Sequence, residues 1–522
     1  MLSQVKEEII IFIVRPEKEI INVILQIDAV LKGYKKMVTK NMIFIPGENH
    51  DIIDYMIQTQ LYNDYNIESL NFDIIPIDID LLSLERDNCI KEIYIDNNYS
   101  SISDLACALV KLETCFGKVK NKYVKGDLAQ AFCKIVEEKE IENNLNAKGE
   151  ILGMIVLDRS VDFITLMTTN YTCVGLIDEK FGINLGKIKV EEKILKKNLS
   201  KKPIDSTKLI PYGLTSKINP LYCSMRCMHY KDAYAYMDTI KEYYQKIAKA
   251  SNNKSLSLDK IKEYTEKLNH FMGKIKVDLI MNENIMDCSI EPLKDPNYTK
   301  YVEKEQLMLS GDLPSNLYSY YEEHLYEQRD LMTLIKLMIL ETLTQNGVKD
   351  YQKLKREILN IYGYQNIFLF RDLENLGWLK ERELLKDLRK IIDITFNQVS
   401  KKLELMQISD DPKKIDDCSY VMGGFCPIGL RIIEMAIDGK WIKIMDTLKK
   451  MPGATECPPS ESVFASPKDE NNIIFVVFVG GVTYTEIEGI RFLNRKLNEE
   501  YKNKKRKKKK TINYFNNWCF KL

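Results

Sequence analysis

Four carboxylates between residues 158 and 179 are the side chains best suited to acid–base or metal chemistry in this sequence. Asp158 and Asp162 follow an apolar run, residues 151–157 (ILGMIVL), that has the length of a buried strand, and Asp178 and Glu179 come soon after. The carboxyl end of a parallel strand is where open α/β sheets place ligands and catalytic groups. One hypothesis is therefore an enzyme that uses Asp158 and Asp162 with a bound metal or nucleotide.

The same segment also has a structural interpretation. An Asp or Ser that follows a strand commonly accepts a hydrogen bond at the start of a helix, so Asp158 or Ser160 would cap one, and Arg159 would pair with a nearby acid. No glycine-rich turn or basic cluster accompanies these carboxylates in the sequence. We favour the structural role and keep the enzyme as the alternative hypothesis.

A second candidate is the local group of soft ligands Cys223, Cys227 and His229. A structural zinc site uses four ligands, usually as two paired knuckles, and no second pair lies nearby in the sequence. We therefore interpret these side chains as packed or surface groups, and no metal is predicted.

The motifs of common nucleotide-binding and hydrolytic enzymes are missing from the sequence. It contains no GxxxxGK[ST] loop, no HExxH and no GxSxG, and its first strand runs into Arg15-Pro16 where a dinucleotide fold has a glycine-rich turn. Its four histidines are dispersed. The sequence therefore predicts no cofactor and favours a protein that is not an enzyme.

Composition indicates a folded protein with several domains. The chain has 522 residues, of which 45% are hydrophobic and 29% charged, and its net charge is +1. Such a balance gives no general attraction to nucleic acid. The start of the chain does not have the pattern of a signal peptide, and no apolar run reaches the roughly 20 residues that span a bilayer. Its twelve cysteines are accordingly expected to be reduced thiols in the cytoplasm.

Positive charge is concentrated near the end of the chain. Residues 502–510 carry eight Lys or Arg side chains, which leaves the rest of the chain at +1 − 8 = −7. Such a run can bind anionic lipid or act as a nuclear address, and it can also be a solvated end. We favour the last and expect residues 501–522 to form a basic, disordered tail.

The pattern of apolar residues predicts an α/β protein with a large helical insert. Strands are expected at residues 9–14, 42–45 and near 72–77, with helices between them, in the order of an open parallel sheet. From about Tyr230 to Lys390 the pattern is almost wholly helical, and strand signals return at 473–479. The last strands would then rejoin the second α/β region.

Several segments resemble the SM (Sec/Munc) family of vesicle-fusion proteins, in particular its vacuolar protein sorting branch. The segments match the family in their order along the chain and include its LDRxVD, GLIDE, KREIL and GGVT signatures. They are residues 10–16 (IIFIVRP), 157–165 (LDRSVDFIT), 175–183 (GLIDEKFGI), 355–359 (KREIL), 362–364 (YGY), 373–377 (LENLG), 420–427 (YVMGGFCP) and 478–483 (FVGGVT). Within them lie the signature residues Asp158, Arg159, Asp162, Asp178, Glu179, Gly480 and Gly481, for which we predict a structural role.

The resemblance implies an SM-type three-domain arch, with two doubly wound parallel-sheet domains and a helical domain 3. Domain 1 would cover residues 1–148 and lack the family's first element, which would expose a sheet edge. Domain 2 would be discontinuous, 149–230 plus 396–500, and domain 3 would be the insert at 231–395. By this resemblance, the basic tail would replace the family's closing strand.

The resemblance also implies a function in membrane fusion. Family members bind SNARE proteins and promote their assembly, and this branch is a subunit of the HOPS and CORVET tethers at endosomes, vacuoles and lysosomes. The chain would be cytoplasmic and would reach membranes only through its partners. Residues 267–272 (KLNHFM) resemble the tip of the SNARE-binding hairpin, so Leu268, His270 and Phe271 would contact SNAREs or pack the hairpin core. Lys355, Tyr364 and Ile367 would bind a helical subunit of the tether, or else pack locally.

Overall fold

The fold is described from a computed structural model of the chain. The described residues are 9–32, 39–45, 47, 49–70, 74–119, 121–144, 151–199, 207–251, 258–382, 394–407, 417–458, 473–506 and 517–521. They form two compact units, Met1–Ile75 and Pro76–Leu522.

The strands are numbered in chain order. They are β1 Ile9–Val14, β2 Thr39–Phe44, β3 Asn66–Ser69, β4 Ile75–Asp78, β5 Leu81–Ser83, β6 Lys122–Lys125, β7 Ile151–Asp158, β8 Lys187–Glu191, β9 Leu209–Gly213, β10 Thr455–Glu456, β11 Ile473–Val479 and β12 Asn517–Lys521.

The helices are numbered in the same way. They are α1 Lys18–Lys32, α2 His50–Gln58, α3 Cys89–Tyr94, α4 Ser100–Phe116, α5 Asp127–Glu142, α6 Ile164–Met167, α7 Cys173–Phe181, α8 Glu192–Leu195, α9 Pro220–Met225, α10 Tyr230–Ser251, α11 Leu258–His270, α12 Lys276–Ser289, α13 Pro296–Leu309, α14 Leu317–Tyr326, α15 Leu331–Gln345, α16 Tyr351–Tyr362, α17 Ile367–Asn375, α18 Phe396–Lys402, α19 Ile428–Ile437, α20 Trp441–Leu448 and α21 Tyr484–Arg506. In the described part of the chain, no helix is both long enough and apolar enough to pass through a lipid bilayer.

The first unit is a parallel sheet in the order β1-β2-β3, with α1 and α2 as its helices. Its core contains eight buried side chains from the helices, β2 and the segment after α2: Ile21, Ile24, Met42, Phe44, Ile52, Met56, Leu61 and Tyr65. β1 lies at the edge of this sheet, and its residues Ile9, Ile11 and Ile13 are 59%, 58% and 64% exposed. An apolar row on an edge strand is thus open to solvent among the described residues.

The second unit is built on a seven-stranded sheet in the order β10-β6-β7-β11-β12-β5-β4. The central strands pair in parallel, and β10 pairs with β6 in the antiparallel sense. All seven residues of β11 (IIFVVFV) are buried, as expected for a parallel strand that is covered on both faces. The predicted parallel α/β sheet is therefore confirmed, with strands from both ends of the sequence.

The predicted helical region is also confirmed. From α10 to α17 the described residues contain helices but no named strand. α11 continues through one stretch of π-helix, Phe271–Ile275, into α12, so the second arm of the hairpin is one long helical run.

The two compact units divide the chain at a different place from the predicted end of domain 1 at residue 148, which stays a prediction. β5 and β6 belong to the second sheet, because β5 pairs with β12, and β6 pairs with β7 from Lys122 opposite Met154 to Lys125 opposite Leu157. The sequence shows where strands begin but not which sheet each one joins. The first compact unit consequently ends at Ile75.

The expected disordered tail at 501–522 is corrected. α21 continues to Arg506, and β12 lies between β11 and β5 with Asn517 opposite Ile474 and Cys519 opposite Leu81. A closing strand is therefore present, and the lysines at 507–510 lie outside the described residues.

Candidate functional site

Asp158, the first of the candidate carboxylates, is the last residue of β7 and is only 3% exposed. Its Oδ1 accepts hydrogen bonds from the hydroxyl of Tyr94 at 2.7 Å and from the N–H of Ser160 at 2.9 Å. Its Oδ2 accepts from the N–H of Leu128 in the first turn of α5, at 3.0 Å. Burial and the Asp158 carboxylate raise the pKa of Tyr94, so the tyrosine remains a donor. Asp158 therefore caps the short 3₁₀ turn that follows it and also the start of α5.

Arg159 is buried and pairs with a residue from a distant part of the sequence. Its Nη1 donates to both carboxylate oxygens of Glu486, at 3.1 and 2.8 Å, and its Nη2 donates to the carbonyl of Asp162. Burial disfavours the guanidinium, but the carboxylates of Glu486 and Asp162 outweigh it and raise the pKa of Arg159. Glu486 also accepts from the N–H of Thr483 at 2.9 Å, so the pair fixes the first turn of α21. The expected local partner is present as well, because Nη2 lies 3.8 Å from the carboxylate of Asp162, and Glu486 adds a partner that is 327 residues away.

Asp162 is buried beside them and connects to a third helix. Its Oδ1 accepts from the N–H of Thr165 at 3.0 Å. Its Oδ2 accepts from the Thr165 hydroxyl at 2.6 Å and from the N–H of Ile428, the first residue of α19, at 2.8 Å. The residue before α19 is Pro427, whose side chain makes no cap hydrogen bond, so Asp162 supplies the missing acceptor.

We call Asp158, Arg159, Asp162 and Glu486 the signature cluster. Its carboxylates hold the first turns of α5, α19 and α21 at the carboxyl end of β7. In nucleotide-binding folds, free N–H groups and the positive end of the helix dipole bind phosphate at such positions. Here the protein's own carboxylates occupy these N–H groups, which favours the structural interpretation of the cluster.

Gly480 and Gly481 follow β11 with φ of +97° and +103°, a region that L side chains rarely adopt. A Cβ on Gly480 would lie 2.9 Å from the Cβ of Arg159. Gly480 therefore allows the turn to pass close over the signature cluster.

Asp178 and Glu179 have separate partners elsewhere. Asp178 accepts from the N–H of Ile183 at 2.8 Å and so closes the end of α7. Glu179 pairs with Lys336 on α15 at 3.1 Å, with both side chains about 40% exposed. The described contacts thus assign these two carboxylates to the packing of α7.

The second candidate group, Cys223, Cys227 and His229, lies around the end of α9. Cys227 is buried and Cys223 is half-buried. The ring of His229 is stacked on those of Tyr171 and Tyr230, and its Nδ1 accepts from the N–H of Lys231 at 3.2 Å. Burial lowers the pKa of His229, so the neutral ring is favoured. The observed role of His229 is packing at the start of α10.

The predicted hairpin residues lie where α11 passes into the π-helix. His270 is exposed, Leu268 is half-buried, and the ring of Phe271 stacks on Tyr244 of α10 with centroids 4.0 Å apart. Phe271 therefore joins the two arms of the hairpin.

His270 lines a cavity of about 640 Å³ whose walls are mainly aromatic and aliphatic side chains. We call this cavity the hairpin groove; its walls include Tyr236, Ile240, Tyr243, Tyr244 and Ile275.

The three residues predicted to bind a tether subunit divide into two kinds. Lys355 pairs with Glu374 at 2.6 Å and is 19% exposed, so it holds α16 to α17. Tyr364 and Ile367 are 63% and 44% exposed at the start of α17. The sequence analysis missed Phe368, which is 63% exposed beside them and has Arg371 over its ring at 5.3 Å. The sequence feature that could have indicated Phe368 is an aromatic residue next to Ile367, in a segment with few charges.

A model described as the Sec1 family matches residues 4–512 of the chain. The chain belongs to the Sec1 family. The match confirms the resemblance that was inferred from the signature segments. The curated relatives of this Sec1-family chain include proteins of the vacuolar protein sorting branch.

Among these relatives is the vacuolar protein-sorting-associated protein 33 homolog of Arabidopsis thaliana, which is 25% identical over 476 residues and matches 87% of this chain and 76% of the relative. Vacuolar protein sorting-associated protein 33A of Rattus norvegicus is 25% identical over 512 residues, with 93% and 82% covered. Protein 33 of Schizosaccharomyces pombe is 23% identical over 448 residues, with 81% and 72% covered.

Solved structures of this family share the fold at low identity. The Unc18–syntaxin 1 complex from Monosiga brevicollis gives a TM-score of 0.58 at 13% identity and covers 99% of this chain and 86% of that one. The structure of Vps45 in complex with the Qa SNARE Tlg2 gives a TM-score of 0.56 at 13% identity. It covers 97% of this chain and 83% of that one. These likenesses confirm the SM fold class.

Proposed function

We propose that this chain binds SNARE proteins and promotes their assembly during vesicle docking and fusion at endosomal, vacuolar or lysosomal membranes. The observation that carries the proposal is the Sec1-family match over residues 4–512, together with relatives that are named for vacuolar protein sorting. Two proteins with this fold were solved with a bound SNARE, Unc18 with syntaxin 1 and Vps45 with Tlg2.

The hairpin groove supports this proposal on physical grounds. A SNARE motif is an amphipathic helix, and such a helix inserts apolar anchors at i, i+3, i+4 and i+7 into an apolar groove. The groove presents tyrosine rings and isoleucines, with His270 and Asp278 as polar groups among them. Tyr243 is 51% exposed and is therefore available for contact from this groove.

Direct binding tests the proposal. We expect the full chain to bind the cytosolic fragment of a syntaxin-class SNARE from the same organism in isothermal titration calorimetry. Tyr243→Glu combined with His270→Glu is expected to weaken binding at least tenfold, about 1.4 kcal/mol, because it places charge in an apolar contact. Glu242→Gln, a neighbouring exposed position on α10, serves as the matched control and is expected to bind like the wild type. Absence of binding to every syntaxin-class SNARE of the organism would contradict the proposal.

We infer further that the chain catalyses no covalent reaction, is cytoplasmic, and reaches membranes through its partners. Asp158 and Asp162, the residues that an enzyme on this scaffold would use, are engaged with helix N–H groups. Shape and apolar contact are then the means by which the protein acts.

A second binding surface is proposed for the helical vacuolar protein sorting subunit of the HOPS or CORVET tether. Tyr364, Ile367 and Phe368 form an exposed apolar patch, with Arg371 as its charged rim. Aromatic and aliphatic anchors beside an Arg are typical of interface residues that contribute most to affinity. Lys355 supports the patch through its pair with Glu374 and is not one of its contacts in this proposal.

Substituting the exposed patch is expected to weaken the capture of the tether subunit. Tyr364→Ala combined with Phe368→Ala should reduce affinity about 30-fold or more, roughly 2 kcal/mol, with the melting temperature unchanged because both side chains are mostly exposed. Co-purification and biolayer interferometry measure this effect. Tyr326→Ala, at a position that is 84% exposed on α14, is the control. Wild-type affinity in the double variant would remove the patch from the interface.

A further inference from the structure

Two buried cysteines next to the helical hairpin have sulfur atoms in direct contact. The Sγ atoms of Cys418 and Cys426 are 3.0 Å apart, and both residues are fully buried. Two sulfur atoms that are not bonded normally stay farther apart, while a disulfide joins them at about 2.0 Å. The backbone therefore already holds this pair close to bonding distance.

We propose that Cys418 and Cys426 form a reversible disulfide, a redox modification site within the loop that supports the start of α10. The oxidant is a peroxide, and a dithiol reductant reverses the change. Neither the family relationship nor the proposed SNARE function requires this site.

The surroundings of the pair include a cation that favours the reacting thiolate. Arg431 is buried and donates to Asp417 at 2.9 and 3.1 Å and to Glu434 at 2.5 Å. The positive charge of Arg431 acts to lower the pKa of Cys418, because a neighbouring Arg stabilises the thiolate form of a cysteine. The sulfur contact, burial and Glu434 raise the pKa of Cys418, so this residue rests as a thiol. Reaction therefore proceeds through brief local openings of the loop.

The chemical step balances with peroxide as the oxidant. One thiolate attacks an oxygen of hydrogen peroxide, the O–O bond breaks, and a sulfenic acid and a water molecule result once the leaving hydroxide takes up a proton. The second thiolate attacks the sulfenic sulfur and displaces hydroxide, which is protonated to water. In total, two thiols and one hydrogen peroxide give one disulfide and two waters.

A metal is the competing occupant, because Asp417, Cys418 and Glu434 present ligand atoms within 4.8 Å of one another. Two observations favour the disulfide. Arg431 already binds both carboxylates, and a dication would have to displace it or lie beside it. Two thiolates on a tetrahedral zinc with bonds of about 2.3 Å would lie about 3.7 Å apart, which is wider than the observed contact.

The disulfide would close the loop of residues 418–426 beneath the hairpin. Tyr420 in this loop accepts a hydrogen bond from the N–H of His229 at 2.9 Å, and its hydroxyl also contacts Asp232 of α10. Gly423 passes close against the ring of Tyr171. Oxidation is therefore expected to restrain the loop and the first turn of α10 together.

Disulfide mapping of the full chain tests the proposal. Reduced protein is treated with hydrogen peroxide, remaining thiols are blocked with N-ethylmaleimide, and the sample is digested without reduction. Trypsin releases residues 415–431 with both cysteines. We expect this peptide to lack maleimide and to have lost two hydrogen atoms, and chymotrypsin, which cuts after Tyr420 and Phe425, to yield two peptides joined by the bond. Dithiothreitol should restore both thiols.

The controls separate this pair from general oxidation. Cys418→Ser and Cys426→Ser should each abolish the bond, and Cys133→Ser, at another buried cysteine, should leave it intact. Oxidised wild type should show slower amide hydrogen exchange in residues 418–426 and in the first turn of α10. Maleimide on both cysteines after exposed Cys115 and Cys457 have been oxidised would overturn the proposal. So would pairing of either residue with a different cysteine, or stoichiometric zinc at the pair.

Discussion

Replacing Arg159 with Met is expected to lower the free energy of unfolding by about 3–5 kcal/mol, the range measured when one member of a buried ion pair is removed. The substitution leaves the carboxylate of Glu486 buried at 0% exposure without its cation. It also removes the donor to the carbonyl of Asp162. Urea denaturation followed by far-UV circular dichroism measures the loss.

A paired substitution shows whether the charge is responsible. Arg159→Met combined with Glu486→Leu removes both charges and should recover part of the lost stability, since a buried ion pair can be replaced by apolar groups at little cost. A single variant that loses less than about 1 kcal/mol would contradict the assignment of Arg159 as the connection between β7 and α21.

Replacing Lys125 with Met is expected to have the second largest effect, a loss of about 3 kcal/mol or more, because it leaves several buried acceptors without a donor. The Nζ of Lys125, at the end of β6, lies within hydrogen-bond distance of four carbonyls that follow or end α20, which share its three N–H donors: Leu448 at 2.9 Å, Met451 at 3.1 Å, Pro452 at 2.8 Å and Gly453 at 2.8 Å. The ammonium thus neutralises the negative end of α20 and attaches it to the sheet.

Thermal and urea unfolding, with amide exchange across residues 448–456, measure the effect of Lys125→Met. Lys134→Met, on the exposed side of α5, is the matched control and should change stability by no more than about 0.5 kcal/mol. Equal stability of the two variants would show that other groups satisfy these carbonyls.

The strands that sequence analysis predicted well are those whose burial is visible in their composition. Residues 9–14, 151–157 and 473–479 are continuous apolar runs, and all three are strands in the structure. A strand buried on both faces needs such a run, whatever lies around it. The assignment of strands to sheets was harder. β4 and β6 have no local sequence feature that shows whether they join the three-stranded sheet that contains β2 or the seven-stranded sheet that contains β7.

The signature cluster was predicted in its role and only partly in its partners. Asp158 caps a turn, as a strand-terminal Asp suggests, but it also caps α5, and Arg159 pairs with Glu486. Partners separated by hundreds of residues become neighbours only when β7 and β11 pair, so spacing in the sequence carries no sign of them. The Cys418–Cys426 contact was missed for a different reason. The two cysteines are eight residues apart, and that separation matches no common metal-binding motif.

β12 was missed because a charged run precedes it. Eight basic residues at 502–510 indicate a solvated end, and the short run of residues 517–521 (NWCFK) that follows is weak evidence for a strand by itself. Its place is determined by β5 and β11, which both pair with it. The same dependence on neighbours applies to Phe368, whose exposure follows from the packing of α16 and α17 and not from its own residue type.

The rate of SNARE assembly in the presence of the full chain tests most directly whether this protein acts by holding helices. Fluorescently labelled SNARE motifs from the organism's endosomal or vacuolar set, mixed at limiting concentration, report four-helix bundle formation through energy transfer. Assembly should be faster with the wild-type chain, and Tyr243→Glu with His270→Glu should remove the acceleration while Glu242→Gln retains it. Two results would contradict this mechanism. One is an assembly rate that does not change although the wild-type chain binds those SNAREs, and the other is equal acceleration by the groove variant.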